Sequence, residues 1–143
     1  MPPLVRCFVK AAFVYLIAAF LLGALIMLDR WLPFSRWLRV AYISQLHLLM
    51  VGWISQLAIG VAYWMFPRFR KEKTPNPRGS DTLAWTTFIC LNVGLLLRFA
   101  LEPFSLMGAR SPLTALVALG GVLQAIAVVC FGLLIWARVR AME

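Results

Sequence analysis

Residues 40–67 read VAYISQLHLLMVGWISQLAIGVAYWMFP and contain no Lys, Arg, Asp or Glu. A helix that crosses a lipid bilayer needs about 20 predominantly apolar residues, so this stretch is long enough to span a membrane. Three further runs without these four residue types occupy 11–28, 82–97 and 111–137. The run at 82–97 reaches spanning length only if the helix continues to Glu102 within the membrane. The pattern predicts an all-α membrane protein with helices near 5–29, 37–66, 82–102 and 112–138.

The composition supports one membrane domain and excludes several other classes of protein. The 143 residues are 63% hydrophobic and 13% charged, against about 25% charge in soluble domains. Four spans leave too little chain for a second, water-soluble domain, so residues 1–143 are predicted to form one up-down-up-down bundle. The net charge of +9 does not indicate nucleic acid, because the basic residues flank apolar runs. Three cysteines without CxxC spacing give neither a disulfide framework nor a zinc site.

The basic residues are distributed unequally between the two sides of such a bundle. The N-terminal segment, the loop 68–81 and the C-terminal segment together carry nine of the 14 Lys and Arg residues. The positive-inside rule therefore predicts that both termini and the loop 68–81 are cytoplasmic. The first run is too long for the core of a signal peptide and has no small-residue cleavage pattern, so we expect it to remain in the membrane. Ser35 is a plausible N-cap for the second helix.

Three ionisable residues fall inside the predicted spans, where such groups are functional candidates by default. His47 is the only histidine in the chain, and it is either a metal ligand or a residue hydrogen-bonded to a neighbouring helix. Ser44, one turn earlier, is the nearest candidate in sequence to accept a hydrogen bond from its ring. Arg98 and Glu102 are four residues apart and can pair on one helix face. Arg98 is alternatively a partner for the carboxylate of a cofactor or substrate.

The second helix carries polar groups on two opposite faces. At about 100° per residue, His47 shares a face with Ile43, Met50 and Ile54, whereas Gln56 lies on nearly the opposite face. The sequence leaves open which face looks into the bundle. Because both polar faces should avoid lipid, each should be covered by protein. We therefore expect an oligomer, most simply a homodimer, or contact with another subunit.

Small and amide side chains in the last two spans indicate helix–helix contacts. Asn92 and Gln124 are predicted to form interhelical hydrogen bonds. Gly120 and Gly121 are predicted to allow a neighbouring helix to approach closely.

The stretches HLLMVGW (47–53) and GVAYWMFPRF (60–69) resemble the second transmembrane helix of the haem–copper oxidase subunit I superfamily. The likeness is closest to cbb-type oxidases, nitric oxide reductases and short four-span bacterial proteins similar to subunit I. The resemblance implies a location in the bacterial inner (plasma) membrane and an axial role for His47 toward a low-spin haem. The remaining haem and copper ligands of the large enzymes have no counterpart here, and Gln45 stands where many short relatives have a second histidine. No complete catalytic centre is therefore expected in this chain alone.

Two functions follow from the resemblance and the polar residues. The first is a cytochrome-like protein that binds haem b for electron transfer or diatomic-gas sensing, with His47 as metal ligand and Arg98 and Ser44 assisting. The alternative is a non-catalytic accessory subunit or assembly factor of a respiratory complex, with no cofactor of its own. A small transporter gains little support, because no inverted repeat is visible.

Overall fold

The computed structural model describes residues 2–66, 78–108 and 112–140, and this part of the chain contains four helices that are long and apolar enough to cross a membrane. Helix α1 is Pro3–Trp31, and proline suits its first position because a helix leaves that N–H without a partner in any case. The last two long helices, which we number α5 and α6, are Asp81–Leu106 and Pro112–Arg140. An all-α protein with four long apolar helices was predicted, and this is confirmed. Most of the predicted loop 68–81 lies outside the described residues.

The second span is helical without interruption over Tyr42–Met65, but the type of helix changes along its length, which the prediction of a helix at 37–66 did not include. It begins with α2 (Arg36–Val40) and α3 (Tyr42–His47), continues as a π-helix (Leu48–Ser55) and ends as α4 (Gln56–Met65). Ser35 caps α2, as predicted, by accepting a hydrogen bond from Leu38 N at 3.5 Å. A π-helix pairs each N–H with the carbonyl five residues earlier and so holds more residues per turn than an α-helix. Apolar periodicity alone does not distinguish the two.

The interior face of the second span is the one that carries Gln56. Gly52, Gln56 and Tyr63 are buried, whereas Ile43, Met50 and Ile54 are exposed. Gly52 packs closely on α1, because a Cβ at this position would lie 2.8 Å from Tyr15 Cβ. This contact holds the π-helix against the first helix.

Buried apolar residues form two core clusters. The first joins α1, α4, α5 and α6 and comprises Leu4, Val5, Phe8, Ile59, Tyr63, Ala84, Leu91, Ala127 and Leu134. The second joins α1, the second span and α5 and comprises Ala19, Leu22, Ile26, Leu38, Ala41, Leu48 and Leu95. Helix α6 contributes no residue to the second cluster within the described chain.

A pair of glycines brings α5 and α6 together. A Cβ on Gly94 would lie 2.5 Å from Gly120 O, and one on Gly120 would lie 2.8 Å from Gly94 O. The prediction of close approach at Gly120 is confirmed. The prediction for Gly121 was wrong, since a Cβ there would meet no atom within 4 Å.

Helix α5 continues beyond Glu102 to Leu106 although Pro103 lies inside it. Proline has no N–H, so Pro103 cannot bond to the carbonyl of Phe99 four residues earlier. Ser44 Oγ donates a hydrogen bond to that Phe99 carbonyl at 3.4 Å. A serine of a neighbouring helix therefore satisfies the group that proline frees, which is a recognised way for membrane helices to tolerate proline.

Candidate functional site

The candidate site lies where α3 packs against α5. His47 is the last residue of α3, and Glu102 is a buried residue of α5 with 9% of its surface exposed. His47 Nδ1 lies 3.2 Å from Glu102 Oε2. Arg98 Nη2 donates to Glu102 Oε1 at 3.0 Å, which confirms the predicted pair. The structure thus brings the three ionisable candidates of the spans into one group.

Helix α6 adds an amide to this group. Arg98 Nη1 donates to Gln124 Oε1 at 3.5 Å, so the prediction that Gln124 bonds between helices is confirmed. We call His47, Arg98, Glu102 and Gln124 the His47 cluster. Its members come from three different membrane helices, and Glu102 lies between the two basic side chains.

The surroundings of His47 determine which ring nitrogen carries the proton. Nδ1 lies 2.9 Å from the carbonyl of Ile43 and 3.2 Å from Glu102 Oε2. Both neighbours are hydrogen-bond acceptors, so the neutral ring carries its proton on Nδ1 and leaves the Nε2 lone pair available. A single N–H serves one acceptor well, and the shorter contact is to Ile43.

Ser44 does not fill the place that the sequence suggested for it. Its hydroxyl is buried and bonds to Phe99 O, away from the imidazole. The acceptors beside the ring are instead the Ile43 carbonyl and the Glu102 carboxylate. The sequence missed Glu102 as a neighbour of His47 because the two residues meet only through packing of α3 on α5.

The His47 cluster keeps unused hydrogen-bonding capacity. Glu102 Oε2, Arg98 Nε and Gln124 Nε2 are buried and have no hydrogen-bond partner within the described chain. Buried polar atoms in native proteins are normally satisfied by protein or by ordered water. Three such atoms in one cluster mark it as a place where water or a ligand group would bind favourably.

The surface around His47 that faces away from the bundle is apolar, and His47 is partly exposed there. Its side chain is 19% exposed, and Ile43 and Met50 on the same face are exposed. The described residues contain no group of three or more His, Cys, Asp or Glu side chains that could hold a metal ion.

A second polar group lies between α1, α4 and α5. Tyr15 Oη donates to Asn92 Oδ1 at 2.8 Å, and Gln56 Nε2 donates to the same oxygen at 3.3 Å. This confirms Asn92 as an interhelical hydrogen-bonding residue. Tyr15 was not singled out from the sequence, although a tyrosine within an apolar run is a signal that could have been used.

Arg138 was interpreted from sequence only as a charge that sets membrane orientation, but it is 1% exposed. Its Nη1 donates to Tyr63 O at 3.1 Å, its Nη2 donates to Phe66 O, and its Cζ lies 5.5 Å from the Tyr63 ring centroid. Arg138 therefore caps the carbonyl end of α4. An arginine near a helix C-terminus is favourable for both hydrogen bonding and the helix dipole.

Comparisons of this chain with protein-family models, with curated proteins and with solved structures found no match. The likeness to oxidase subunit I rests on the residues quoted from the second span.

Proposed function

We propose that this multi-pass membrane protein binds haem b through Nε2 of His47 and serves electron transfer or diatomic-gas sensing. The observation that carries the proposal is the pair of acceptors at His47 Nδ1, the Ile43 carbonyl and the Glu102 carboxylate. They direct the ring proton to Nδ1 and leave Nε2 as a neutral nitrogen ligand. The helix arrangement that accompanies the proposal is up-down-up-down in a bacterial inner membrane, with both termini and loop 68–81 cytoplasmic.

The Ile43 carbonyl, with the Glu102 carboxylate beside it, would strengthen the histidine as a ligand. Histidines that bind metals usually donate their other N–H to a carboxylate or a backbone carbonyl, which orients the ring and raises its basicity. Both kinds of acceptor lie beside His47. Arg98 holds the Glu102 carboxylate at 3.0 Å, so it acts on the histidine through Glu102. The partnership of Arg98 with a haem propionate remains a further part of the proposal.

The residues around His47 suit a cofactor that supplies its own nitrogen ligands. A porphyrin needs only axial ligands from the protein and supplies one-electron redox chemistry or gas binding when it is bound. The exposed Ile43 and Met50 beside His47 present an apolar surface compatible with such a ring. Ser44 assists only indirectly, because its hydroxyl holds α3 against α5 through Phe99 O.

With one histidine in the chain, a bis-histidine haem requires His47 from two copies. A two-fold homodimer that joins the Ile43, Met50 and Ile54 faces would supply both ligands and cover an exposed apolar stripe. A five-coordinate haem requires no second copy. Subunits of a respiratory complex are the other partners we propose for this face.

A specific observation also favours the alternative, an accessory subunit or assembly factor without a cofactor. The Ile43 carbonyl already accepts the Nδ1 hydrogen bond of His47, and Arg98 already pairs with Glu102. The His47 cluster would then be a structural connection between α3 and α5.

The visible spectrum of detergent-purified protein, expressed with ample haem, tests the two functions. We expect a Soret band in the wild type and its loss in His47→Ala. Met65→Ala is the control, because it truncates an exposed apolar residue at the other end of the same span, away from His47. A colourless wild type would support the accessory role, and full haem content in H47A would remove His47 as the ligand.

A further inference from the structure

An open surface cavity of about 310 Å³ is lined by Arg36, Arg39, Val40 and Met107. It lies beside the start of the second span and the end of α5, so residues from two membrane helices form its wall. Its lining combines two guanidinium groups with two apolar side chains.

Hydrogen bonds in the turn before α2 fix the backbone positions of Arg36 and Arg39. Asp29 Oδ1 accepts hydrogen bonds from Phe34 N at 2.8 Å and Ser35 N at 2.7 Å. These bonds hold the turn between α1 and α2, and Ser35 then caps α2. Arg36 and Arg39 follow at a spacing of three residues, which places them on neighbouring positions of one helix surface.

The charge of the cavity is not balanced by the described part of the chain. Arg39 Nε lies 3.8 Å from Asp29 Oδ2, a long ion pair, and the Arg39 side chain is 57% exposed. Asp29 Oδ1 is already occupied by two backbone N–H groups. Arg36 forms no ion pair with any residue that the structure describes. The lining therefore holds two guanidinium groups, of which only that of Arg39 lies near a carboxylate, and the excess charge is positive.

The apolar residues of the lining indicate which class of anion the cavity would bind. Val40 and Met107 lie beside the guanidinium groups, and the neighbouring Trp31 and Phe34 are exposed. Exposed aromatic residues at the ends of membrane helices are typical of the bilayer interface. An anion that fits this site has a phosphate group that binds the arginines and an apolar part that packs against Val40 and Met107.

We propose that the Arg36–Arg39 cavity binds the phosphate headgroup of an anionic phospholipid. Arginine donors suit phosphate oxygens, and their planar guanidinium groups can bind phosphate through two parallel N–H···O bonds. The site is independent of the function proposed for His47, which is seven residues beyond Val40, or about 10 Å along a helix.

Native mass spectrometry of protein in mild detergent, titrated with phosphatidylglycerol, tests this site. We expect the double variant Arg36→Gln/Arg39→Gln to bind this lipid about tenfold or more weakly, because it removes both guanidinium donors to the phosphate. Arg6→Gln/Arg30→Gln is the matched control, because it removes the same charge from two exposed arginines outside the cavity and should leave binding nearly unchanged.

Two further measurements distinguish a lipid headgroup from free phosphate and separate a loss of binding from misfolding of the double variant. Met107→Glu adds a carboxylate to the lining without touching either arginine, and it should also weaken binding. Phosphatidylcholine should bind more weakly than phosphatidylglycerol, and inorganic phosphate should not displace the lipid. Equal losses in both double variants, equal binding of the two lipids, or full displacement by inorganic phosphate would each overturn the proposal.

Discussion

Glu102 has charged or polar contacts on both of its carboxylate oxygens, with Arg98 at one and His47 at the other. Removing Arg98 would leave a carboxylate of 9% exposure without its strongest donor, and burying an uncompensated charge is costly. Its two basic neighbours differ in kind, because Arg98 is always charged whereas a neutral histidine donates only one N–H. The stability of this region therefore depends more on Arg98 than on His47.

We expect Arg98→Leu to lower the free energy of unfolding by an amount near the lower end of about 3–5 kcal/mol. Arg98→Lys should lose less, because it keeps a positive charge beside Glu102. Thermal unfolding in detergent measures both. Arg30→Leu is the control, since this exposed arginine forms no ion pair within the described chain and its replacement should change stability by less than about 1 kcal/mol. Equal stability of wild type, R98L and R98K would show that the pair is only interfacial.

Ser44 and Pro103 form a second testable pair. In Ser44→Ala the Phe99 carbonyl loses its donor, which should cost about 1–3 kcal/mol. In a Pro103→Ala background the restored backbone N–H can bond to that carbonyl, so the same change should cost much less. A double-mutant cycle by thermal unfolding measures the difference. Additive effects would mean that Ser44 does not compensate for the proline.

Part of this site follows from local spacing and part does not. The pairing of Arg98 with Glu102 and the cap at Ser35 depend on residues three or four positions apart, and the sequence predicted both correctly. The approach of Glu102 to His47 spans 55 residues of chain and depends on the packing of α3 on α5, so no local pattern contains it. The role of Ser44 was misassigned for the same reason, because its partner is on another helix.

Among the helices, the second span shows which features of a membrane helix the hydrophobic pattern does not predict. A run of apolar residues predicts a spanning helix, but it does not predict the change to a π-helix at Leu48–Ser55. That change accompanies contact of Gly52 with Tyr15 on α1 and a hydrogen bond from Ser55 Oγ to Met50 O at 2.7 Å. π-Helical segments often occur at functional sites, and this one begins directly after His47.

The contact between α5 and α6 supplies a prediction with a control on the same helix. Gly120→Ala should force the helices apart, because its Cβ would lie 2.8 Å from Gly94 O. Such overpacking typically costs about 1–3 kcal/mol. Gly121→Ala meets no atom within 4 Å and should be neutral or stabilising, since alanine is the better helix former. Similar thermal stability of the two variants would contradict the close contact.

At the scale of the whole molecule, all four long helices expose apolar side chains, as expected of surfaces that face lipid. Helix α6 is the least enclosed of the four, because only 17% of the residues in its most apolar 18-residue stretch are buried. The positive-inside rule predicts an orientation that the fold alone does not give, because a bundle has the same internal contacts either way up.

Cysteine labelling of intact cells tests this orientation. On a background with Cys7, Cys90 and Cys130 replaced by serine, we expect Ser80→Cys to react only when reagent reaches the cytoplasm. Phe34→Cys, at the other predicted side, should react with impermeant reagent added outside. Both native positions are exposed, so each serves as the accessibility control for the other. The reverse pattern would invert the proposed topology.

The cap that Arg138 places on α4 also has a consequence for biosynthesis. Tyr63 is synthesised 75 residues before the arginine that binds its carbonyl, so the second span must enter the membrane with that end unfinished. Until the fourth span arrives, water or lipid headgroups have to satisfy the carbonyls of Tyr63 and Phe66. The carbonyl end of α4 therefore acquires its guanidinium partner only after translation has passed Arg138.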